Sequence, residues 1–579
     1  MQGDHMKVLL IALNAKYIHS NLAVRYLKAS CSLKHGEMKI REFTINDRLE
    51  DIIAEISREA PDIAAFSCYI WNIEEIRKIS SSLKKILPNT TILLGGPEVS
   101  YEAEKFMEAN RQIDFIIKGE GEKAFPLFLE FITKGDADAG QVPGLVYRQD
   151  EKVLSSEEAC FHDLGLLPDP YGDGLEELKK DRIIYYETSR GCPFSCQYCM
   201  SSLSSGVRYL PLDRVKADLK RFVEEEVMQV KLVDRTFNAN PERACEIFEY
   251  IISLGGKTNF HFEMAGHLID ERMLAILRKA PKGLIQLEIG VQSTNPAVLQ
   301  EIDRKTNFSR LSQAVKAIRE WGNIHLHLDL IAGLPGEDYA SVRKSFHDVY
   351  SLHPDRLQLG FLKLLKGSKL RENAERYGYE FTEYPLYEVL KSDQLSYEEL
   401  LTLKGVEEML EMYGNSHRYD NSITFLIRHC FPNSFDLFEA LSLYYIENGH
   451  HLTAKSLEQQ TDILYRFGMS LPTVEERIWK EVLKFDYLLS GKKHSYPEWM
   501  NRWDDNDIRE RIRHFYRWEI KEIFPHLNAL TPRQMRKNTH VECFPFDILS
   551  FLRANPIRHG ATYLFFDYTR PGSCERLHL

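Results

Sequence analysis

The sequence predicts an α/β protein with two successive parallel sheets, followed by a mostly α-helical C-terminal region. Three observations carry this prediction. Short apolar runs alternate with amphipathic segments over residues 1–145, the same alternation restarts at residue 181, and after residue 385 helical periodicity dominates. Strands that alternate with helices of about ten to fifteen residues form parallel sheets, because each helix carries the chain back to the same edge.

The first domain, residues 1–145, is predicted from four apolar runs with helical segments between them. The runs are KVLLIAL (7–13), PDIAAFS (61–67), TILLGGP (91–97) and DFIIKGEGE (114–122). We expect these strands to form a doubly wound sheet. Residues 146–180 lose the periodicity and gain proline, glycine and acidic residues, which predicts a linker.

The second domain, residues 181–385, contains six further candidate strands, a number typical of a partial (β/α)6 barrel. They are RIIYYETS (182–189), QVKLVDRTF (229–237), NFHFEMAG (259–266), LIQLEIGVQ (284–292), HLHLDLIAG (325–333) and RLQLGFLKL (356–364).

Polar residues recur at alternate positions in three of these strands. They are His261 and Glu263, Gln286 and Glu288, and His325, His327 and Asp329. Alternate residues share one strand face, and helices cover the outside of a barrel, so we expect these side chains to line the interior. The alternative is that some of them face solvent at edge positions.

Composition limits the class of protein. The chain has 579 residues, of which 44% are hydrophobic, enough for several folded domains. A formal net charge of −11 argues against a protein that coats nucleic acid. No apolar run reaches the ~18 residues of a membrane-spanning helix, and no secretory leader opens the sequence, so we expect a cytoplasmic protein.

Three of the ten cysteines stand together in RGCPFSCQYC, as C-x3-C-x2-C at Cys192, Cys196 and Cys199. The other seven are scattered singly, which does not suit a secreted disulfide framework. Three neighbouring thiols favour a soft metal. A structural zinc would need a fourth ligand and none lies close by, whereas a 4Fe–4S cluster held by three thiolates keeps one iron open. Zinc remains the alternative.

This motif, with Tyr198 before its third cysteine and a barrel strand before it, resembles the radical S-adenosylmethionine (SAM) superfamily over residues 181–365. The segments LVDRTFN (232–238), EIGVQS (288–293) and GLPGE (333–337) resemble it too. The resemblance implies that SAM chelates the open iron and that cleavage yields a 5′-deoxyadenosyl radical. By the same resemblance we expect a SAM site that includes Tyr198, Glu288, Gln292, Arg304 and Gly333.

The N-terminal domain resembles the Rossmann-like cobalamin (B12)-binding domain of cobalamin-dependent radical SAM enzymes. The residues that carry this resemblance, and that it implies for cobalamin binding, are Ser67, Tyr69, Gly95, Gly96, Pro97, Gly119 and Glu120. Domains that ligate cobalt through histidine carry D-x-H-x-x-G after the first strand. Here Tyr17 replaces the aspartate and Leu22 the glycine, so we expect His19 to lie beside the ligand without coordinating it.

Residues 386–579 match no motif with a defined chemistry. From residue 508 onward Lys and Arg number 12 against 7 Asp and Glu, notably in RIRHFYR (511–517) and TPRQMRKNTH (531–540). Such segments could hold a phosphorylated substrate or RNA, or could simply be solvated helix faces. We expect the helices of this region to close over the barrel mouth and exclude water.

Together the resemblances imply a cobalamin-dependent radical SAM enzyme of the methyltransferase type. One SAM would methylate cobalamin, and a second would supply the radical that removes a substrate hydrogen. The substrate would then take its methyl group from methylcobalamin at an unactivated carbon. The alternatives are a non-methylating rearrangement, cyclisation or reduction, and, from another class, a cobalamin- or iron-sensing regulator. Such an enzyme needs a reductant such as flavodoxin or ferredoxin; no catalytic residue or substrate is indicated.

Overall fold

A computed structural model describes residues 6–32, 36–134, 138–158, 160, 163–178, 181–203, 206–500, 506–570 and 572–577. The chain divides into two units, residues 1–400 and 401–579. The first unit contains both predicted parallel sheets, together with residues 386–400 from the start of the predicted helical region.

The N-terminal sheet has, among the described residues, seven strands in the order β2-β1-β3-β4-β5-β6-β7. The strands are β1 (Lys7–Asn14), β2 (Glu37–Thr44), β3 (Ile63–Ser67), β4 (Thr91–Gly95), β5 (Phe115–Ile117), β6 (Leu145–Gln149) and β7 (Lys152–Ser155). The helices are α1 (Leu22–Ala29), α2 (Leu49–Glu59), α3 (Ile73–Ile86), α4 (Pro97–Ser100), α5 (Ala103–Ala109) and α6 (Gly121–Lys134). Strands β1 to β5 are parallel, and two apolar clusters, one on each face, bury them. The predicted doubly wound sheet is confirmed.

Three strands of this sheet were not predicted. Strand β2 has the charged sequence EMKIREFT and lies at the edge, half-exposed along its length. Strands β6 and β7 form an antiparallel hairpin where the linker over 146–180 was predicted. Its two-residue turn, Asp150 and Glu151, has positive φ angles of 48° and 64° without a glycine, so the usual hairpin signal is missing.

The second sheet has six parallel strands in the order β8-β11-β12-β13-β14-β15 within the described residues. The strands are β8 (Ile184–Tyr186), β11 (Gln229–Leu232), β12 (Asn259–Met264), β13 (Ile285–Gln292), β14 (His325–Ala332) and β15 (Arg356–Phe361), with a separate pair β9 (Ser189–Gly191) and β10 (Val207–Tyr209) after the first. The helices are α7 (Leu175–Leu178), α8 (Leu212–Glu224), α9 (Pro241–Leu254), α10 (Glu271–Leu277), α11 (Pro296–Glu301), α12 (Phe308–Trp321), α13 (Tyr339–Tyr350) and α14 (Lys369–Glu372). All six predicted strands are confirmed, and the sheet is a partial barrel with edges at β8 and β15.

The N-terminal domain contacts both edges of this partial barrel. Beside β8, the backbone N–H of Ile183 donates to the Ile18 carbonyl at 2.7 Å, and Ser20 Oγ donates to the Ile183 carbonyl at 2.8 Å. Beyond β15, Lys366 Nζ lies 2.8 Å from Glu98 Oε1, and the Tyr387 hydroxyl donates to the same carboxylate. The N-terminal domain therefore lies along the open side of the barrel.

The second unit is mostly helical, as predicted. A small pair, β16 (Glu380–Phe381) and β17 (Val389–Lys391), precedes it in the first unit. The helices of the second unit begin with α15 (Tyr397–Met409), whose first residues belong to the first unit. The others are α16 (Asp420–Cys430), α17 (Ser434–Glu447), α18 (Leu457–Ser470), α19 (Glu476–Leu489), α20 (Asn506–His514), α21 (Ile520–Ile523), α22 (Pro532–Asn538) and α23 (Ile548–Leu552). An antiparallel sheet of β18 (Thr539–Phe546), β19 (His559–Asp567) and β20 (Ser573–Leu577) accompanies them. In the described part of the chain, no helix is long and apolar enough to cross a membrane.

Candidate active site

The three cysteines of the motif, Cys192, Cys196 and Cys199, lie on the loop between β9 and β10 and are all free. The chain before this loop is fixed by Asp234, which follows β11. Its carboxylate accepts hydrogen bonds from the Thr188 backbone N–H at 2.9 Å, the Thr188 hydroxyl at 2.6 Å and the Ser189 hydroxyl at 2.5 Å. Burial raises the pKa of Asp234 to about 6. The loop therefore leaves the barrel from a rigid anchor.

The donor set of this loop fits an iron–sulfur cluster. A structural zinc takes four protein ligands, and the motif supplies three. Three thiolates that are close in sequence suit a 4Fe–4S cluster that keeps one iron open. In the described part of the chain, the group whose ligand atoms lie within 4.8 Å of one another is Glu288, His327 and Asp329.

Arg304 lies against this loop. Its Nη1 donates to the Tyr198 hydroxyl at 3.0 Å and lies 3.7 Å from Cys196 Sγ, while its Nη2 donates to the Gly290 carbonyl. Burial raises the pKa of the Cys196 thiol, and the Arg304 charge opposes that shift. The arginine predicted to pair with the SAM carboxylate therefore lies at the edge of the cysteine loop, where it would favour thiolate.

Gly290, which was not predicted, makes this arrangement possible. A Cβ at Gly290 would lie 2.3 Å from Gln292 Nε2 and 3.2 Å from Arg304 Nη2. Gln292 itself has a positive φ of 71°, which turns the end of β13 at a register shift against β14. The absence of a side chain at Gly290 thus leaves room for the side chains of Gln292 and Arg304, of which Arg304 reaches Cys196.

Four buried polar atoms around Gly290 have no hydrogen-bond partner. They are Gln292 Oε1, Arg304 Nε, Asp329 Oδ1 and His327 Nε2, of which the last two lie 3.7 Å from each other, beyond hydrogen-bond distance. Asp329 pairs with Gly290 across β13 and β14, so it faces the same space. An unsatisfied buried polar group costs about 1–3 kcal/mol, and several in one place indicate a polar ligand. The residues present therefore fit SAM, which carries an amino acid and a ribose. Asp329 was predicted to face the interior but was not assigned to this site.

Glu288 is the centre of the polar barrel interior. Its Oε2 lies 2.9 Å from His261 Nε2 and 3.2 Å from Lys231 Nζ, and Lys231 also lies 3.7 Å from Glu263 Oε1. Burial alone would raise the pKa of Glu288, but the His261 hydrogen bond and the Lys231 charge lower it to about 2. His261, Glu263, Glu288, His327 and Asp329 converge as predicted, whereas His325 is exposed. For Gln286 this stays a prediction. Lys231 was missed.

The turn after β14 is also held close to this site. Gly333 and Gly336 have positive φ angles of 94° and 76°, and the Gly333 carbonyl accepts a hydrogen bond from Tyr379 at 2.8 Å. The buried Glu337 carboxylate accepts from Ser293 at 2.5 Å, directly after β13. Burial raises the pKa of Glu337 to about 7. These bonds tie the Gly333 turn to the strand that carries Gln292.

The N-terminal domain has a small apolar cavity of about 120 Å³ at the carboxyl ends of β3, β4 and β5. Ligands of open α/β sheets bind at this edge. The cavity is lined by Val24 and Leu27 of α1, by Phe125 of α6, and by the predicted residues Ser67, Gly95, Gly96 and Gly119. An apolar slot walled by glycines suits a flat apolar ring, such as the base at the end of the cobalamin tail.

The two adjacent glycines of this cavity differ in what they require. A Cβ at Gly96 would lie 2.4 Å from the Cys68 carbonyl oxygen, and its φ is +116°. Any side chain at position 96 would therefore clash with the backbone, whether or not a ligand is bound. A Cβ at Gly95 would meet only the Ile117 carbonyl oxygen, at 3.6 Å. Gly95 is therefore the position where a side chain would be accommodated at the cavity wall.

Three other predicted cobalamin residues lie near this cavity without lining it. Tyr69 stacks on Trp71 with ring centroids 4.4 Å apart, and Pro97 begins α4. Glu120 pairs instead with Arg208, at 2.5 Å, and approaches Arg190 at 3.6 Å; both arginines flank the cysteine loop. A carboxylate beside glycines gave no sequence signal that its partner would be an arginine 88 residues later.

His19 contacts the barrel. Its Nδ1 lies 2.5 Å from the hydroxyl of Tyr185 in β8. Burial, with the charges of Lys16 and Lys231, lowers the pKa of His19. The contact engages one ring nitrogen with the neighbouring domain; the position of His19 beside the ligand and its lack of coordination both remain predictions.

The two basic segments of the C-terminal region form α20 with the turn after it, and α22. Their arginines and lysine, namely Arg511, Arg513, Arg517, Arg533, Arg536 and Lys537, are exposed. Binding of a phosphorylated substrate or RNA by these segments stays a prediction.

Family models match three segments of the chain. Residues 8–129 match the B12 binding domain, residues 186–349 match the radical SAM superfamily, and residues 375–566 match a family of unknown function, DUF4080. The chain therefore combines the two domains that define the cobalamin-binding radical SAM enzymes, as its motifs predicted. The cofactors that these domains imply are cobalamin, SAM and a 4Fe–4S cluster.

Individual relatives agree with this class. The cobalamin-dependent radical SAM methyltransferase TokK of Streptomyces tokunonensis is 30% identical over 55% of this chain and 49% of its own length. The anaerobic magnesium-protoporphyrin IX monomethyl ester cyclase of Cereibacter sphaeroides is 22% identical over 57% of this chain and 55% of its own. The chain thus spans about half the length of these relatives. The solved structure of the cobalamin-dependent S-adenosylmethionine radical enzyme OxsB has the same fold, with a TM-score of 0.59 at 14% identity, over 84% of this chain and 83% of that one.

Proposed function

We propose that this protein is a cobalamin-dependent radical SAM methyltransferase that methylates an unactivated carbon of its substrate. One observation carries the proposal. Glu122 lines the glycine-walled cavity and also pairs with Arg190, two residues before Cys192. The site that fits cobalamin and the loop that fits the cluster are therefore neighbours within one unit. TokK, a methyltransferase by name, supports the same activity.

The chain's own residues would hold each group. The three cysteines would bind the cluster, Arg304 and Gln292 would orient SAM, and the cavity beside Gly95 would receive cobalamin. When bound, SAM on the cluster supplies a radical that can remove hydrogen, and cobalamin supplies a methyl group. The polar interior around Glu288 and Lys231 would fix the charged ends of the ligand, so that its reactive part is positioned toward the substrate.

A test of the proposal does not require the substrate. Reconstituted protein with excess SAM and a strong one-electron reductant should release both 5′-deoxyadenosine and S-adenosylhomocysteine, because methylation consumes SAM in two ways. Omission of cobalamin should remove the S-adenosylhomocysteine and leave the 5′-deoxyadenosine. Flavodoxin or ferredoxin is the proposed physiological reductant. Release of neither product would contradict an enzyme of this class and favour a regulator.

A second candidate is a non-methylating radical reaction such as a cyclisation. The similarity to the magnesium-protoporphyrin ester cyclase favours it. This candidate predicts 5′-deoxyadenosine without S-adenosylhomocysteine, and a product that lacks the extra CH₂ unit of a methylated one.

A further inference from the structure

An ionic network joins the cobalamin cavity to the cysteine loop. Arg190, in β9, donates through Nε to both oxygens of Glu187 at 3.0 and 3.1 Å, and its Nη2 pairs with Glu122 of α6. The side chains of Arg190 and Glu122 are only 14% and 8% exposed. Arg208, opposite Arg190 in the β9–β10 pair, binds both oxygens of Glu120 at 2.5 and 3.1 Å.

The same network reaches the cavity wall by a second route. The Arg190 guanidinium lies 5.4 Å from the ring centre of Tyr26 in α1. The neighbouring α1 residues Val24 and Leu27 line the cavity, as do Gly119, Gly121 and Glu122. Glu122 is therefore part of the cavity wall and also pairs with Arg190, which precedes Cys192 by two residues.

Buried charge pairs have few alternative arrangements. Breaking one pair by moving either loop would leave a charge buried and unpaired, which is strongly unfavourable. A ligand that holds the Gly119–Glu122 loop in place therefore also holds Arg190, and with it the start of the cysteine loop. In the same way, a cluster bound by the cysteines would hold Arg190 in place, and with it the Gly119–Glu122 loop.

We propose that Glu122 and Arg190, assisted by Glu120 and Arg208, are positioning residues that couple cobalamin binding to cluster binding. The coupling rests on the proposed function, since it needs both groups to bind this chain. Because coupling between two sites is reciprocal, the cluster should tighten cobalamin binding by the same factor by which cobalamin tightens cluster binding. Couplings between two sites are typically about 5- to 150-fold, and we expect a value toward the lower end.

The experiment compares hydroxocobalamin affinity, from absorbance titrations under anaerobic conditions, with and without the cluster. The cluster-free protein carries alanine at all three motif cysteines. We expect the cluster-loaded protein to bind hydroxocobalamin about tenfold more tightly than the cluster-free protein. In Glu122→Gln this ratio should fall close to one. Glu130→Gln is the matched control, because Glu130 is in the same helix but pairs with Lys134 at the surface, at 3.3 Å, and the ratio should persist.

A second readout follows the cluster directly. Hydroxocobalamin should slow iron release to a chelator in the parent and in Glu130→Gln, but not in Glu122→Gln. If Glu122→Gln does not fold by circular dichroism, Glu120→Gln carries the test, because its pair with Arg208 is partly exposed. In that variant the ratio should fall at least by half.

Two results overturn the inference. They are a ratio of one in the parent, and a parent-like ratio in the folded variant that carries the test. If the parent binds no hydroxocobalamin or no iron, the proposed function fails together with the inference. That outcome is distinct, because the affinity ratio then cannot be formed at all.

Discussion

Gly95 and Gly96 are adjacent, yet substitutions there should affect different properties. In Gly95→Val the Cβ would meet only the Ile117 carbonyl, at 3.6 Å, so the two methyl groups would project into the cavity of about 120 Å³. Extra carbons in a filled site cost about 1–3 kcal/mol, and each 1.4 kcal/mol is tenfold in affinity. The dissociation constant of hydroxocobalamin should therefore rise about 5- to 150-fold.

The assay is an absorbance titration with hydroxocobalamin, accompanied by thermal unfolding of the cobalamin-free protein. Gly95→Val should unfold close to the parent temperature, whereas Gly96→Ala should unfold lower. A Cβ at Gly96 lies 2.4 Å from the Cys68 carbonyl at a φ of +116°, and such strain costs about 1–3 kcal/mol. Gly174→Val is the control, because nothing lies within 4 Å of that Cβ. Parent-like affinity in Gly95→Val would refute the assignment of this cavity to cobalamin.

Three further predictions concern the cluster, the cobalt face and SAM. Reconstituted protein should hold about four irons and four sulfides, and alanine at the three motif cysteines should remove them while cobalamin still binds one to one. The paramagnetic spectrum of bound cob(II)alamin should show no axial nitrogen in the parent or in His19→Ala, because Tyr17 and Leu22 replace the aspartate and the glycine that accompany a ligating histidine; a nitrogen splitting lost in the variant would contradict this. Binding of SAM at pH about 7 should release protons, measured by calorimetry in two buffers, and Asp329→Asn should release fewer, because burial beside Glu288 and Glu263 raises the pKa of Asp329 to about 8. Equal release in both proteins would contradict this reasoning.

Most of the parallel strands of both sheets and the cysteine loop could be predicted, because they depend on local periodicity and on spacing in sequence. What could not be predicted depends on contacts between distant segments. The turn of β6 and β7 has an Asp150–Glu151 pair with positive φ, which no local rule favours. Glu120 lies in a glycine-rich loop that resembles a ligand site, but its partner is Arg208. Whether Glu120 contacts a ligand or pairs with an arginine depends on how the N-terminal domain lies against the barrel, which the sequence alone does not reveal.

The polar barrel interior illustrates how far the pattern alone extends. Strand parity predicted that Glu263, Glu288 and Asp329 lie on one face. The pKa of each carboxylate, however, depends on which positively charged side chains lie next to it. Lys231 lies 3.7 Å from Glu263 and 3.2 Å from Glu288, while Asp329 Oδ1 has no hydrogen-bond partner. Burial and the two neighbouring carboxylates therefore keep Asp329 protonated at neutral pH. A cation that enters this space replaces that proton, since opposite charge favours the carboxylate. SAM carries both an ammonium and a sulfonium group, so the proposed binding of SAM would supply such a cation.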